Sequence, residues 1–219
     1  MIDFHVHTTF SDSTMTPAVA VRHAKMAGYR AVALTDHADH ANMDLILRQT
    51  LPLARKYSLY AGIEVFAGVE LTHVPPALIP EAVREARAMG AQLVLVHGET
   101  ISDAVETGTN LAAIEGGVDI LAHPGLVSDE DAAYAAERGV RFEITTRPGH
   151  ALTNGHVAMA ARRHGVRCVI NNDAHHSRDF VNPDHRLAVA LGAGLTTAEV
   201  TAAEAESRTL LGRLLREVR

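Results

Sequence analysis

The sequence predicts an α/β fold built on parallel strands, and three observations carry that prediction. Short apolar, β-branched runs recur seven times, at Ile2–Val6, Ala31–Leu34, Val65–Val69, Gln92–Val96, Asp119–Ala122, Val140–Ile144 and Arg167–Ile170. Longer stretches with helical spacing lie between most of them, and strands alternating with helices imply a parallel sheet with right-handed crossovers. Such a sheet is either doubly wound or closed as a barrel. A doubly wound nucleotide fold calls for a Gly-rich turn after the first strand, whereas this chain reads His7-Thr8-Thr9-Phe10-Ser11-Asp12-Ser13 there. The barrel is therefore favoured.

The helices announce their ends in chain order. Thr16-Pro17 followed by Gly28 gives an N-cap, a proline at the first helical position and a terminating glycine. Pro80 and Gly90 frame a second helix. Ser128 and Gly139 frame a third, with Asp129, Glu130 and Asp131 in the first turn, where the helix dipole favours anions. A fourth ends at Gly165, and closing helices follow over Phe180–Gly192 and Thr197–Val218, the latter opened by a Thr196/Glu199 capping box.

Length and composition bound the function. The 219 residues suit one core, and with no linker visible the chain reads as one domain over residues 1–219. It is 47% hydrophobic and 21% charged, without an apolar run long enough to span a membrane. The single cysteine, Cys168, excludes an internal disulfide, and the N-terminus shows no secretion signal, so the cytoplasm is the expected location. A net charge of -6 and the lack of Lys/Arg-rich tracts argue against nucleic acid as partner. Oligomeric state leaves no mark on the sequence. Most informative are the 14 histidines, because histidine is the commonest metal ligand.

Nearly every strand ends in a ligand type. His5 and His7 lie on the first, Asp36-His37 follow the second, Glu70 the third, His97 the fourth, His123 the fifth, and Asp173 and His175 the seventh. In a parallel barrel these ends meet on one face. His5-x-His7 and Asp173-x-His175 have the two-residue period that points both side chains the same way along a strand. Histidine and carboxylate without thiolate suit zinc, manganese or iron, and so many ligands call for more than one ion. His23, His156 and His164, in helical stretches, are read as structural instead.

These residues resemble the PHP (polymerase and histidinol phosphatase) domain family, and the resemblance covers almost the whole chain. The matching motifs are His5-x-His7-Thr8 with Ser11-Asp12, Thr35-Asp36-His37, Gly68-Val69-Glu70, Leu121-Ala122-His123-Pro124-Gly125 and Asn172-Asp173-Ala174-His175. Ser13 stands where the family commonly has glycine. The resemblance implies a distorted seven-stranded, TIM-like (β/α)7 barrel with three divalent metal ions, zinc, manganese, iron or a mixture. It places His5, His7, Glu70 and Asp173 on one ion, Glu70, His97 and His123 on a second, and Asp12, His37 and His175 on a third. Asp12 replaces a histidine found in some members, which would shift that ion toward harder metals.

The resemblance is strongest to the stand-alone histidinol-phosphatase type. It implies a metal-dependent phosphoric ester hydrolase acting on a small phosphate monoester, with L-histidinol phosphate as the leading substrate. A water bridging the ions that share Glu70 would supply the hydroxide, with Glu70 and Asp173 carrying the ions. Arg147, beyond the sixth strand, is read as a phosphate-binding residue or a rim salt bridge. His150 and His176 would assist a leaving oxygen or orient a ligand. Glu99, His40 and His73 are open on the same terms. Other readings are a metal-dependent nuclease or nucleotide phosphoesterase, which would need a basic groove, and a non-catalytic scaffold, which would have eroded motifs.

Overall fold

A computed structural model describes residues 1–218. The strands are β1 (Ile2–Val6), β2 (Ala31–Leu34), β3 (His37–Ala38), β4 (Glu64–Leu71), β5 (Leu93–His97), β6 (Ile120–Ala122), β7 (Arg141–Thr145) and β8 (Cys168–Asn171). Seven of them form the expected parallel path, in the order β1-β2-β4-β5-β6-β7-β8. The eighth, β3, is a two-residue extension beyond β2 that pairs with β4, His37 opposite Glu70. It was not visible in the sequence because two residues carry no periodicity.

The path nearly closes into a barrel at the seam between β1 and β8. One parallel bridge joins Val6 to Ala174, where His7 N donates to Ala174 O at 2.9 Å and Ala174 N to His5 O at 3.2 Å. Below it, side chains replace the ladder: Phe4 N donates to Asn171 Oδ1 at 3.0 Å and Asn172 N to Asp3 Oδ1 at 3.1 Å. A buried guanidinium, Arg186, donates to the carbonyls of Ile2, at 3.2 Å, and of Ile170.

Helices α1 (Pro17–Met26), α2 (Met43–Tyr60), α3 (Ile79–Ala88), α4 (Thr109–Gly116), α5 (Asp129–Arg138), α6 (Asn154–His164), α7 (Pro183–Gly192) and α8 (Thr197–Glu217) surround the strands. The end signals are placed as expected, with two differences: Thr16 is extended at the N-cap of α1 but makes no side-chain cap bond, and the closing helix expected from Phe180 starts at Pro183, where Asn182 caps it by accepting from His185 N. Ser128 accepts from Asp131 N, and the Thr196/Glu199 box closes in both directions. No end signal bounds α2, which contains Pro52, or α4, which starts after a left-handed Gly108 instead of a polar cap. Among the described residues no helix is long and apolar enough to cross a membrane.

The barrel interior is layered. Its lower part packs Ile2, Phe4, Ala31, Ala33, Phe66, Leu93, Leu95, Ile120, Ala122 and Val169, and Leu210, Leu211 and Leu214 of α8 pack into the same cluster. Alternation in β4 sets Phe66, Gly68 and Glu70 on one side, so Glu70 stands above this apolar layer. Gly68 between them is required, because a Cβ there would lie 2.2 Å from Leu93 O on β5. In β1 the register shifts between Asp3 and Val6, three steps opposing two on β2. That bulge lets Phe4 join the interior while His5 and His7 still face the cluster above it.

Candidate metal centre

The interior changes character at the C-terminal ends of the strands, where one apolar layer gives way to histidines and carboxylates. Glu70 is fully buried at the middle of this group. Its Oε1 lies 3.3 Å from His5 Nε2 and 3.5 Å from His123 Nε2, and its Oε2 lies 3.5 Å from His7 Nε2. Asp173 Oδ1 approaches His7 Nε2 at 3.2 Å and His175 Nδ1 at 3.3 Å. His175 Nε2 meets Asp12 Oδ1 at 3.1 Å, and His37 Nε2 meets the same oxygen at 3.7 Å. Side chains separated by as much as 168 positions in the sequence thus converge, as a parallel barrel requires.

Four overlapping groups bring ligand atoms within 4.8 Å of one another: His5, His7 and Glu70; His5, His123 and Asp173; His7, Asp12, His37 and His175; and His97, His123 and His150. The first three contain the residues expected for two of the ions. The last departs from the expected set. Glu70 Oε1 lies as near His123 Nε2 as Oε2 lies to His7 Nε2, both at 3.5 Å, and His150 stands with His97 and His123 as a third imidazole.

The donor set fits divalent cations on a physical test. Among the described residues, ten buried side-chain polar atoms lack a hydrogen-bond partner, and seven of them belong here: His5 Nε2, His7 Nε2, both Glu70 oxygens, both His123 nitrogens and Asp173 Oδ1. Buried polar groups without partners are costly, at about 1–3 kcal/mol each, so such a concentration identifies atoms that pair with something other than protein. Backbone strain coincides with it. The non-glycine residues with positive φ are His73, His123 and Asp173, at 54°, 28° and 53°. Side chains held in this region at a cost of order 1–3 kcal/mol are typical of functional sites.

Charge is balanced across the cluster. Burial alone would lower the His5 imidazole, but Glu143, Glu70 and Asp173 outweigh it and hold it well above its ordinary range. Burial would raise Glu70 and Asp173, yet His5 and its neighbours keep both carboxyls well below theirs. Burial and then His37 push His7 down to about 3. Burial drives His97 to about 4 against the pull of Glu70, and burial and then His123 bring His150 to about 4. Metal binding needs neutral imidazoles and ionised carboxylates, so His7 and His97 already have the ligand form, whereas His5 and His37, both raised, would release a proton to a bound cation.

The surrounding residues sort the remaining candidates. Glu143 of β7, which the strand-end reading passed over, is fully buried and accepts from His5 Nδ1 at 2.9 Å, from Asn171 Nδ2 at 2.8 Å and from His123 N at 3.3 Å. A carboxylate only accepts, so it takes the Nδ1 hydrogen of His5 and turns Nε2 toward the cluster, the nitrogen whose proton a bound cation would displace. Its inward position in the strand was the available signal. Asp36, counted among the strand-end groups, instead accepts from Thr8 N at 2.6 Å, Thr8 Oγ1 at 2.8 Å and Ser11 Oγ at 2.9 Å, which pins the loop carrying Asp12.

Arg147 lies on the rim, with Nε 3.5 Å from Asp173 Oδ2 and Nη1 donating to Asp173 O at 3.2 Å. His176 lies apart from the cluster, 42% exposed, with Nδ1 3.5 Å from Asp179, whose carboxylate accepts from the His176 backbone. Glu99 caps α4 by accepting from Gly108 N and Asn110 N. His40 pairs at 4.0 Å with Glu85 outside the cluster, while His73 and His97 flank Asp103 at 3.6 and 3.8 Å. His156 and His164 have the structural roles expected, one bonded to Val127 O and the other to Asp129.

Comparison with known proteins gives a consistent picture. The sequence profile of the PHP domain matches residues 3–163. An uncharacterised protein of Methanocaldococcus jannaschii is 45% identical over 200 residues, covering 90% of this chain and 92% of the relative. The DNA polymerase/3′-5′ exonuclease PolX of Bacillus subtilis is 23% identical over 196 residues, covering 79% of this chain but 34% of its own length. Among solved structures, a Listeria monocytogenes protein described as a candidate histidinol phosphatase superposes with a TM-score of 0.58 at 12% identity, covering 82% of this chain and 97% of that one. At that identity the likeness is one of fold.

Proposed function

We propose that this chain, which belongs to the PHP domain family, is a metal-dependent phosphoric ester hydrolase acting on a small phosphate monoester, with L-histidinol phosphate as the first substrate to try. The observation that carries this reading is the set of seven buried, unpartnered atoms on His5, His7, Glu70, His123 and Asp173. Divalent cations satisfy all of them at once, and zinc, manganese and iron match the donor types. We assign His5, His7, Glu70 and Asp173 to one ion, His97 and His123 with Glu70 to a second, and Asp12, His37 and His175 to a third. When bound, such ions supply an acidified water and neutralise phosphoryl oxygens.

The chain's own residues would do the rest. Glu70 and Asp173, each with two oxygens amid several imidazoles, hold neighbouring ions at fixed separation. Glu143 holds the tautomer of His5, and Asp36 holds the loop of Asp12. Arg147, tethered to Asp173, presents its guanidinium at the rim for the substrate phosphate. Arg147→Ala should raise KM for a monoester about 10–100-fold, matching the 1.5–3 kcal/mol of a charged hydrogen bond. An unchanged KM removes it from the substrate site.

The deciding experiment is an activity screen of metal-loaded protein across phosphate monoesters, diesters and labelled single-stranded DNA, with His123→Ala as control. Monoester turnover that His123→Ala abolishes is the expected result. Cleavage of single strands without monoester turnover would favour a nuclease, which the relation to PolX makes worth including. Protein that neither binds metal nor turns over any ester would be a scaffold. Activity that survives His123→Ala refutes the assignment of the site.

A further inference from the structure

We infer that His150 is a metal ligand which, with His97 and His123, completes a site of three imidazoles; this rests on the reading that the cluster holds divalent ions. His150 does not come from a strand end. It opens a short 3-10 turn, His150–Thr153, directly after Gly149, whose φ of 92° folds the loop beyond β7 back over the strands. The turn delivers the ring into the cluster, where its side chain is 15% exposed. It stacks on His123 with centroids 4.2 Å apart and planes 15° apart, and meets the His97 ring edge-on at 5.6 Å.

The orientation of the ring is fixed from outside. His150 Nδ1 lies 2.8 Å from Thr100 Oγ1, on the loop beyond β5, and that hydroxyl oxygen also accepts from Ser102 N at 3.3 Å. With Nδ1 engaged there, Nε2 points inward and lies 3.9 Å from Asp173 Oδ2. His97 repeats the arrangement, its Nδ1 donating to Gly98 O at 3.2 Å. His123 has no hydrogen-bond partner on either nitrogen. One ring nitrogen from each of the three therefore remains without a hydrogen bond, and the three residues each offer a ligand atom within 4.8 Å of the others. Metal-binding histidines are commonly oriented in this way, through a bond from the other ring nitrogen.

The alternative role for His150, a proton donor to the leaving oxygen, needs a hydrogen on Nε2. Ligation needs a lone pair there instead, and the Thr100 hydroxyl serves Nδ1 in either tautomer, so metal retention separates the two roles. The site has a chemical consequence as well. Three imidazoles favour zinc or another imidazole-seeking transition ion, whereas the group containing Asp12 adds a half-exposed carboxylate suited to harder ions. Two metal preferences would then coexist within one cluster.

Zinc binding decides the matter independently of turnover. Wild-type protein, His150→Ala and His150→Gln would be loaded with zinc alone, then titrated with a chelator while retained zinc is counted by mass spectrometry and folding followed by circular dichroism. Both variants should hold one ion at least about tenfold more weakly and the others unchanged, and Thr100→Val should weaken the same ion less. If His150→Ala fails to fold, His150→Gln, which keeps side-chain volume, gives the answer. Variants that retain zinc as tightly as wild type overturn the inference; a lowered kcat in those variants would then make His150 the proton donor. Wild-type protein that takes up no metal overturns the proposed function itself.

Discussion

Two buried polar clusters meet at β1 and the end of β8, and they are built on opposite principles. The lower one, at the β1–β8 seam, joins Asp3, Asn172, Tyr29, Thr146 and Arg186. Asp3 accepts from His5 N, Asn172 N and Asn172 Nδ2, the last at 2.6 Å, and Asn172 Oδ1 accepts from Tyr29 at 3.2 Å and Thr146 at 3.0 Å. Arg186 serves two strand carbonyls and Glu204, and only its Nη1 is without a partner. Burial pushes the Asp3 carboxyl up to about 6. The upper cluster, which takes His5 and Asp173 from one or two residues further along and adds Glu70 and His123 from β4 and beyond β6, leaves seven atoms unpaired. A buried polar cluster that satisfies itself holds the fold together, and one that does not is waiting for a ligand.

The largest test of that contrast removes an upper-cluster carboxylate. Asp173→Gly takes away an unpaired buried oxygen and relieves a φ of 53°. Metal-free variant protein should be close in stability to metal-free wild type, because the relieved strain and the lost unpaired oxygen offset the lost attraction to His5 and His7, while hydrolysis is lost. For wild type, metal at about a thousand times its Kd should stabilise by about 4 kcal/mol, and at about 2–4 °C per kcal/mol Tm should rise by about 8–16 °C. The variant should show little of that rise. Thermal scans with and without metal check both; marked destabilisation of the metal-free variant would erase the distinction between the clusters.

The mirror experiment is Arg186→Met. Arg186 is 3% exposed and replaces the missing ladder rung at the seam, so its loss should destabilise by about 3–5 kcal/mol in denaturant unfolding. Metal content of the folded fraction should not change. Between the two in character is Glu143→Gln, which touches no expected ion but holds His5. An amide can still accept from Nδ1 but carries no charge, so affinity for the ion at His5 should fall about 10–100-fold with a smaller loss of stability. Chelator competition measures it, and unaltered affinity would return Glu143 to the self-satisfied class.

The strand-terminal cluster residues were legible because a parallel barrel turns sequence position into spatial position: a residue at the end of any strand reaches the common face. His5, His7, His37, Glu70, His97, His123, Asp173 and His175 all follow that rule. His150 does not, since a glycine turn and a threonine hydroxyl place it, and neither has a period. Glu143 was hidden for a different reason, being a ligand's partner set inside a strand. The seam was illegible outright, because Arg186 and Ile2 are 184 positions apart and nothing local marks an arginine as a substitute for a ladder bond. His176 shows the converse error: it adjoins a ligand in sequence, but its ring turns to Asp179.

Asp36 gives the smallest and most discriminating test, because sequence and structure place it in different classes. By position it ends a strand beside His37 and belongs with the ligands. By contact it is saturated, its two oxygens taking three donors from Thr8 and Ser11. Asp36→Asn keeps the shape but presents one acceptor oxygen and turns the other position into a donor, facing groups that themselves donate. That mismatch should lower stability by about 1–3 kcal/mol, or a few degrees in Tm. The total metal content should stay at the wild-type level, because no lone pair of Asp36 faces the cluster. Any weakening should be confined to the ion at Asp12, whose loop Asp36 pins, and should be read as a shift in chelator titration for that ion alone. Loss of a whole metal equivalent would put Asp36 among the ligands after all.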